Sequence, residues 1–266
     1  MLKFQLFIVF ILGLHSGPTN ESSFQSYYKN IDFEQNPTEI RNRLYTLLNT
    51  SQHTVVHYSS KKFLDSWDVL MRCEKYDTGT HDVLLFYGYN DTDQYKFNDR
   101  VRSEDSACHQ SNCENLWNRE HVFPRSKIIK NDNYPDIIKD LHNLRASDPK
   151  MNTKKGNRKF GLGKLESGIN PKGEFFPGEE WKGDVARTIM YMCLKYPENC
   201  LSNQVTKGCR SYNFKCTMSE MFLKWNEEDP VSQIEINRNE KIYKVQGNRN
   251  PFIDFPELAR KIWSAN

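Results

Sequence analysis

Leu116-Trp117-Asn118-Arg119-Glu120-His121-Val122-Phe123-Pro124 is the stretch on which the fold turns, together with Asp148-Pro149-Lys150-Met151-Asn152-Thr153-Lys154-Lys155-Gly156 further along. The first alternates partly between apolar and polar residues and stops at a proline, as a strand does. The second opens with an Asp N-cap, has Pro at the first helical position and ends on Gly. That pattern predicts a two-turn helix over 149–155. So short a helix is marginal alone and needs packing or a metal to hold it. Between the two lies Asp140-Leu141-His142-Asn143-Leu144.

Working outward, Pro37-Thr38-Glu39 starts a helical pattern with Ile40, Leu44, Leu47 and Leu48. Residues 54–58 and 82–89 are rich in β-formers, and 81–87 reads as a buried strand. Asp91 to Asp105 reads as a charged loop. Trp181, Val185, Ile189 and Met192 share a helical face. Asp229-Pro230 predicts the start of another helix running to about Val245, with Gly247 as terminator. Late helices after an early strand region predict an α+β fold. Residues 37–266 are expected to form one two-lobed domain with its site in a basic cleft.

Composition narrows the class. The 37% hydrophobic content suffices for a core, and 27% charged residues is ordinary, which argues against bulk disorder. A net charge of +3 does not decide for or against a nucleic-acid partner, since grip depends on local clustering. Behind Lys3, residues 4–14 form an apolar run too short to span a bilayer, which reads as a signal peptide over 1–17. A polar, extended lead-in over 18–36 follows. The expected destination is secreted or periplasmic, with no membrane attachment after cleavage.

Seven cysteines suit an oxidising space. Cys108 with Cys113 and Cys209 with Cys216 are the natural local pairs, although spacing alone does not fix pairing. An odd count leaves one thiol over in a monomer, which is the expected state. The absence of CxxC argues against a zinc ribbon. Asn20, Asn49 and Asn90 head glycosylation sequons.

The residue types at 120, 121 and 152 point to phosphodiester cleavage. A neutral imidazole takes a proton from water near neutral pH, so His121 is the candidate general base. A hard divalent cation, Mg²⁺ most simply and Mn²⁺ or Ca²⁺ otherwise, needs only one or two protein oxygens. Glu120 and the Asn152 amide oxygen supply that minimum. Arg119, Lys150, Lys154, Lys155, Arg158 and Lys159 surround these residues and read equally as a solvated face or as phosphate contacts.

The segment from Trp117 to Pro124 resembles the E-H-V-x-P signature of the bacterial endonuclease I family, whose site is of the ββα-metal (His-Me finger) kind. The 140–144 segment resembles that family's second motif, and Asn152 with Asn157 its helix motif. Ala186-Arg187-Thr188 with Tyr191-Met192, and the segment 245–252, resemble two further blocks in the expected order. The resemblance implies that His121 is the base and that Glu120 and Asn152 hold the metal. It also implies an arginine between the first two motifs that stabilises the transition state. Arg125 is the nearest candidate and Arg145 the substitute. The substrate expected is DNA, and RNA as well, read through the backbone. Two rivals stand beside this: a secreted nucleic-acid-binding protein without catalysis, and a metal-dependent hydrolase of another phosphoester.

Overall fold

The computed structural model describes residues 25–76, 79–109, 112–207 and 218–263. The chain divides into two compact units, residues 1–35 and 36–266. The expected signal peptide and the start of the lead-in lie outside the described residues. What is described of the first unit is not wholly extended: 25–28 form a helical turn, closed by Ile31 N–H donating to the Tyr28 carbonyl at 2.9 Å.

The second unit is α+β, with helices around three two-stranded antiparallel sheets among the described residues. Its centre is the pair β3, Asn118–His121, and β4, Leu144–Ser147, in the register Asn118↔Ser147 to His121↔Leu144. The helix Pro149–Lys155 follows β4 at once, so two strands and a helix share one local unit. Asp148 caps that helix by accepting from Lys150 N at 2.7 Å and Met151 N at 3.2 Å. Gly156 ends it at φ +51°, a backbone state that favours glycine. Trp67, Leu70, Val83, Leu85, Trp117, Leu144 and Ala146 pack as one core cluster behind the strands.

Several sequence expectations shift. The strand read over 81–87 is only β1, Asp82–Leu84. It stops because Tyr87 turns to φ +73°, while Phe86 N–H crosses to the Ala146 carbonyl at 2.7 Å. The loop read over 91–105 contains β2, Val101–Ser103, paired with β1. Asp91 Oδ1 sets up that strand by accepting from Arg100 N at 2.7 Å. Residues 54–58 form no strand beyond a single bridge from His57 to Asp65.

The helix Lys182–Lys195 is buried along nearly its whole length. The helix predicted from Asp229 is Gln233–Gln246, started by a reciprocal pair: Ser232 Oγ accepts from Glu235 N and Glu235 Oε2 from Ser232 N. Asp229 instead accepts from Gly183 N at 2.8 Å and serves the start of Lys182–Lys195. Gly247, at φ +92°, is the terminator expected. Among the described residues no helix is long and apolar enough to cross a membrane.

Cys108 and Cys113 form a disulfide. Cys209 and Cys216 lie outside the described residues. Cys73, Cys193 and Cys200 are free thiols, more than the single one expected from an odd count. Burial pushes Cys73 up to about 11 and the other two upward as well, which disfavours the thiolate in all three.

Asp140 ties the second motif to the helical layer. Its Oδ2 accepts from Tyr191 OH at 2.9 Å, Lys195 Nζ at 2.8 Å and Tyr196 OH at 2.7 Å, while Oδ1 accepts from His142 N and Gln246 Nε2. His142 lies against Tyr191 and meets the Asn248 carbonyl at 3.2 Å. Burial pushes its imidazole down to about 3, against the pull of Asp140. An unfolded histidine binds a proton below about pH 6.5 that buried His142 refuses, so stability is lost as pH falls from there toward 3. His142→Gln is therefore expected to lose about 2 kcal/mol less than the native chain between pH 7 and pH 5. Urea midpoints at the two pH values check this; equal losses would contradict it.

Candidate active site

Glu120 and His121 end β3, where the chain leaves the sheet. Asn143 clamps that exit by accepting from Phe123 N at 2.7 Å and donating to the Phe123 carbonyl at 3.1 Å. Next to it opens a pocket of about 500 Å³, lined among others by Arg119, Glu120, His121, Arg125, Asn152 and Asn157. Strand and helix thus bring together the three residues singled out for chemistry.

His121 Nε2 lies 2.9 Å from the Ile138 carbonyl. A carbonyl only accepts, so Nε2 carries the proton and Nδ1 keeps its lone pair. The ring stacks on Tyr58 at 5.8 Å and 28°. Burial pushes its pKa down to about 3, and the cationic Arg125, Arg119 and Lys155 push the same way. His121 is therefore neutral across the physiological range.

Glu120 is buried and anchored through one oxygen. Oε1 accepts from Tyr87 OH at 3.1 Å and faces Lys155 Nζ at 3.5 Å. Burial pushes its carboxyl up, while Lys155 and the Tyr87 hydroxyl pull it back. Tyr87 is a bulky residue in left-handed backbone, a state that persists only where the surroundings demand it. Asn152 donates from Nδ2 to Asn118 Oδ1 at 2.8 Å and to the Arg119 carbonyl at 3.2 Å. Those bonds fix the amide orientation and leave Oδ1 to act as an acceptor.

One carboxylate and one oriented amide oxygen at the rim of a water-accessible pocket fit a hard cation that keeps most of its waters. They do not make a closed transition-metal site, and among the described residues no group of three or more His, Cys, Asp or Glu is placed to share an ion.

The basic residues divide. Arg125 is exposed on the pocket wall, its guanidinium 5.7 Å from the Tyr58 ring. Arg119 lines the pocket half-buried. Arg145, the substitute for Arg125, is elsewhere: it is buried, with Nε 2.9 Å from Glu74 and a terminal nitrogen 3.1 Å from Asp184. Lys155, read either as part of a solvated face or as a phosphate contact, is wholly buried beneath Glu120 and also donates to the Val122 carbonyl at 3.3 Å. Both corrections have one cause, a buried carboxylate that needs a cation. Lys159 spends its ammonium on the carbonyls of Asn203 and Thr206. Lys150 pairs with Glu114, Arg158 bonds the Lys154 carbonyl, and Lys154 lies 6.0 Å from the centre of the Phe97 ring. Of these, Lys150 and Arg158 are exposed.

Sequence reading missed Tyr87, Tyr58 and the Ile138 carbonyl, and also Lys130 and Tyr134, which line the same pocket. Asn118 alone carried a signal: it precedes Glu120 by two positions and so shares its face of the strand.

A model of the Endonuclease I family matches residues 37–257. The chain is 33% identical to the extracellular ribonuclease of Bacillus subtilis (strain 168), over 80% of this chain and 70% of that protein. It is 31% identical to the extracellular ribonuclease of Bacillus amyloliquefaciens, over 92% of this chain and 80% of that protein. An extracellular deoxyribonuclease of Aeromonas hydrophila is 25% identical over 49% of this chain and 55% of its own length.

Proposed function

We propose, from the premise that this chain belongs to the endonuclease I family, that it is a secreted, metal-dependent endonuclease. It cuts phosphodiester bonds of RNA and DNA without sequence specificity. The observation that carries the reading is the placement of His121: its Nε2 lies 2.9 Å from the Ile138 carbonyl, which leaves Nδ1 as the acceptor, and Glu120, Asn152 and Arg125 share its pocket.

His121 Nδ1 takes the proton of the attacking water, and the Ile138 carbonyl holds the ring in the tautomer that allows it. A substrate phosphate beside the ring raises the basicity that burial has lowered. Tyr87 and Lys155 keep the Glu120 carboxylate in place, and Asn118 does so for the Asn152 amide. A divalent cation held by Glu120 and Asn152 would supply neutralisation of the charge that builds on the phosphate and the departing oxygen. Arg125 reaches the same phosphate from the exposed side. Secretion is supported by the apolar N-terminal run and by the extracellular names of the relatives.

Incubation of plasmid DNA and of RNA with Mg²⁺ or with EDTA tests this. Cutting of polymer in Mg²⁺ and none in EDTA is expected. Full activity in EDTA would remove the metal, tight binding without cutting would favour the binding-protein rival, and hydrolysis of a mononucleotide ester alone would favour the other phosphoester. Asn152→Ala is expected to raise the Mg²⁺ concentration needed and to lower the maximal rate. Binding to nucleic acid in EDTA should stay as it was, since a neutral amide adds no phosphate attraction. A Mg²⁺ titration and rate identical to the native chain would take Asn152 out of the site.

A further inference from the structure

The catalytic strand is fastened to a surface loop that the reaction itself does not use. Arg119, next to Glu120, donates to the Tyr58 carbonyl, to Ser66 Oγ at 2.8 Å and to Ser59 Oγ at 3.2 Å. Its guanidinium lies 3.6 Å from the centre of the Tyr58 ring, and Tyr58 stacks on His121. Internal bonds stiffen the loop: Asp65 Oδ2 accepts from Ser60 N at 2.7 Å and Ser60 Oγ from Phe63 N at 3.0 Å. This braced loop carries Phe63 with 56% of its surface in water. The ring stacks on the exposed His57 at 5.3 Å and 21°, with Lys61 and Lys62 alongside and Lys62 Nζ 5.2 Å from its centre. So exposed a phenyl adds little to the core, and its lysine-flanked setting suits a polyanion.

We infer that the loop 57–63 is a stacking platform for an unpaired base of the strand whose phosphate occupies the catalytic pocket, giving a preference for single-stranded over duplex substrate. The inference rests on the nuclease reading above. An aromatic face stacks on any base, so the platform adds affinity without reading sequence. A base inside a duplex has both faces covered by its neighbours and reaches Phe63 only after unstacking. Lys61 and Lys62 meet the backbone on either side, with Lys62 leaving the ring as the base arrives.

The test is anisotropy binding in EDTA, on a His121→Ala background, of a labelled single-stranded oligonucleotide and its duplex at one salt concentration. Phe63→Ala is expected to weaken single-strand binding roughly 5- to 100-fold, and to lower the single-strand-to-duplex affinity ratio accordingly. Phe63→Trp should restore the ratio, because it returns a π-face. An unchanged ratio in Phe63→Ala, equal losses on both forms, or no single-strand preference in the parent overturns the platform. If the native chain cuts polymer while any of these is found, only the platform fails. If it cuts neither RNA nor DNA, the nuclease reading fails first.

Discussion

Replacing His121 with alanine is expected to lower the cleavage rate by about 10²- to 10⁴-fold, the usual worth of a positioned general base. The fold should survive, because His121 ends a strand and its ring meets the pocket, Tyr58 and one carbonyl rather than the apolar cluster behind the sheet. The Mg²⁺ dependence should also survive, since Glu120 and Asn152 are untouched. Steady-state rates across a Mg²⁺ titration, with a melting curve, separate these quantities. A variant that cuts at near the native rate would remove the base assignment. One whose Mg²⁺ requirement rises sharply would point to His121 as a ligand.

Arg145→Ala is expected to act on stability, the opposite of what its reading as a substitute for Arg125 suggested. Its guanidinium sits between Glu74 and Asp184 and 4.2 Å from the Phe86 ring centre, with almost no exposure. Deleting it takes one cation from two buried carboxylates, and a buried pair that loses one member costs about 3–5 kcal/mol. Arg238 Nε, 2.8 Å from the same Glu74 oxygen, favours the lower end of that range. For a chain of this size the melting temperature should drop by roughly 6–20 °C. The rate per folded molecule should hold. Arg125→Ala should do the reverse, because its exposed side chain supports no core and lines the pocket proposed to hold the phosphate. Equal melting temperatures with a slowed Arg145→Ala enzyme would reinstate Arg145 in the chemistry.

The helix Pro149–Lys155 was legible from Asp148, Pro149 and Gly156 because capping acts between groups a few residues apart. The same holds for Gly247 and for the apolar stripe that buries Ile40, Leu44 and Leu48. Where two capping residues competed, local reading failed. Asp229 and Ser232 both suit a helix start, and the choice fell to Ser232 because the Asp229 carboxylate is bound by Gly183. The second strand of the β1–β2 pair was hidden in a polar stretch whose pairing depends on Asp91, outside the strand itself.

The sequence by itself determined the chemistry on offer: a strand ending in Glu120-His121, a capped helix bearing Asn152, and a short order of motifs resembling one nuclease family. Only the tertiary structure decided which cations stay at the surface of the pocket and which are buried. Arg125 stays in water at the pocket, while Arg145 and Lys155 are drawn under buried carboxylates. It also supplied Tyr87, Tyr58 and the Ile138 carbonyl, all remote in sequence from Glu120 and His121 or offered by the backbone. The physical reason is range. Caps and periodicity are settled between near neighbours along the chain, whereas a charge or a hydroxyl takes its role from whatever group long-range packing sets against it.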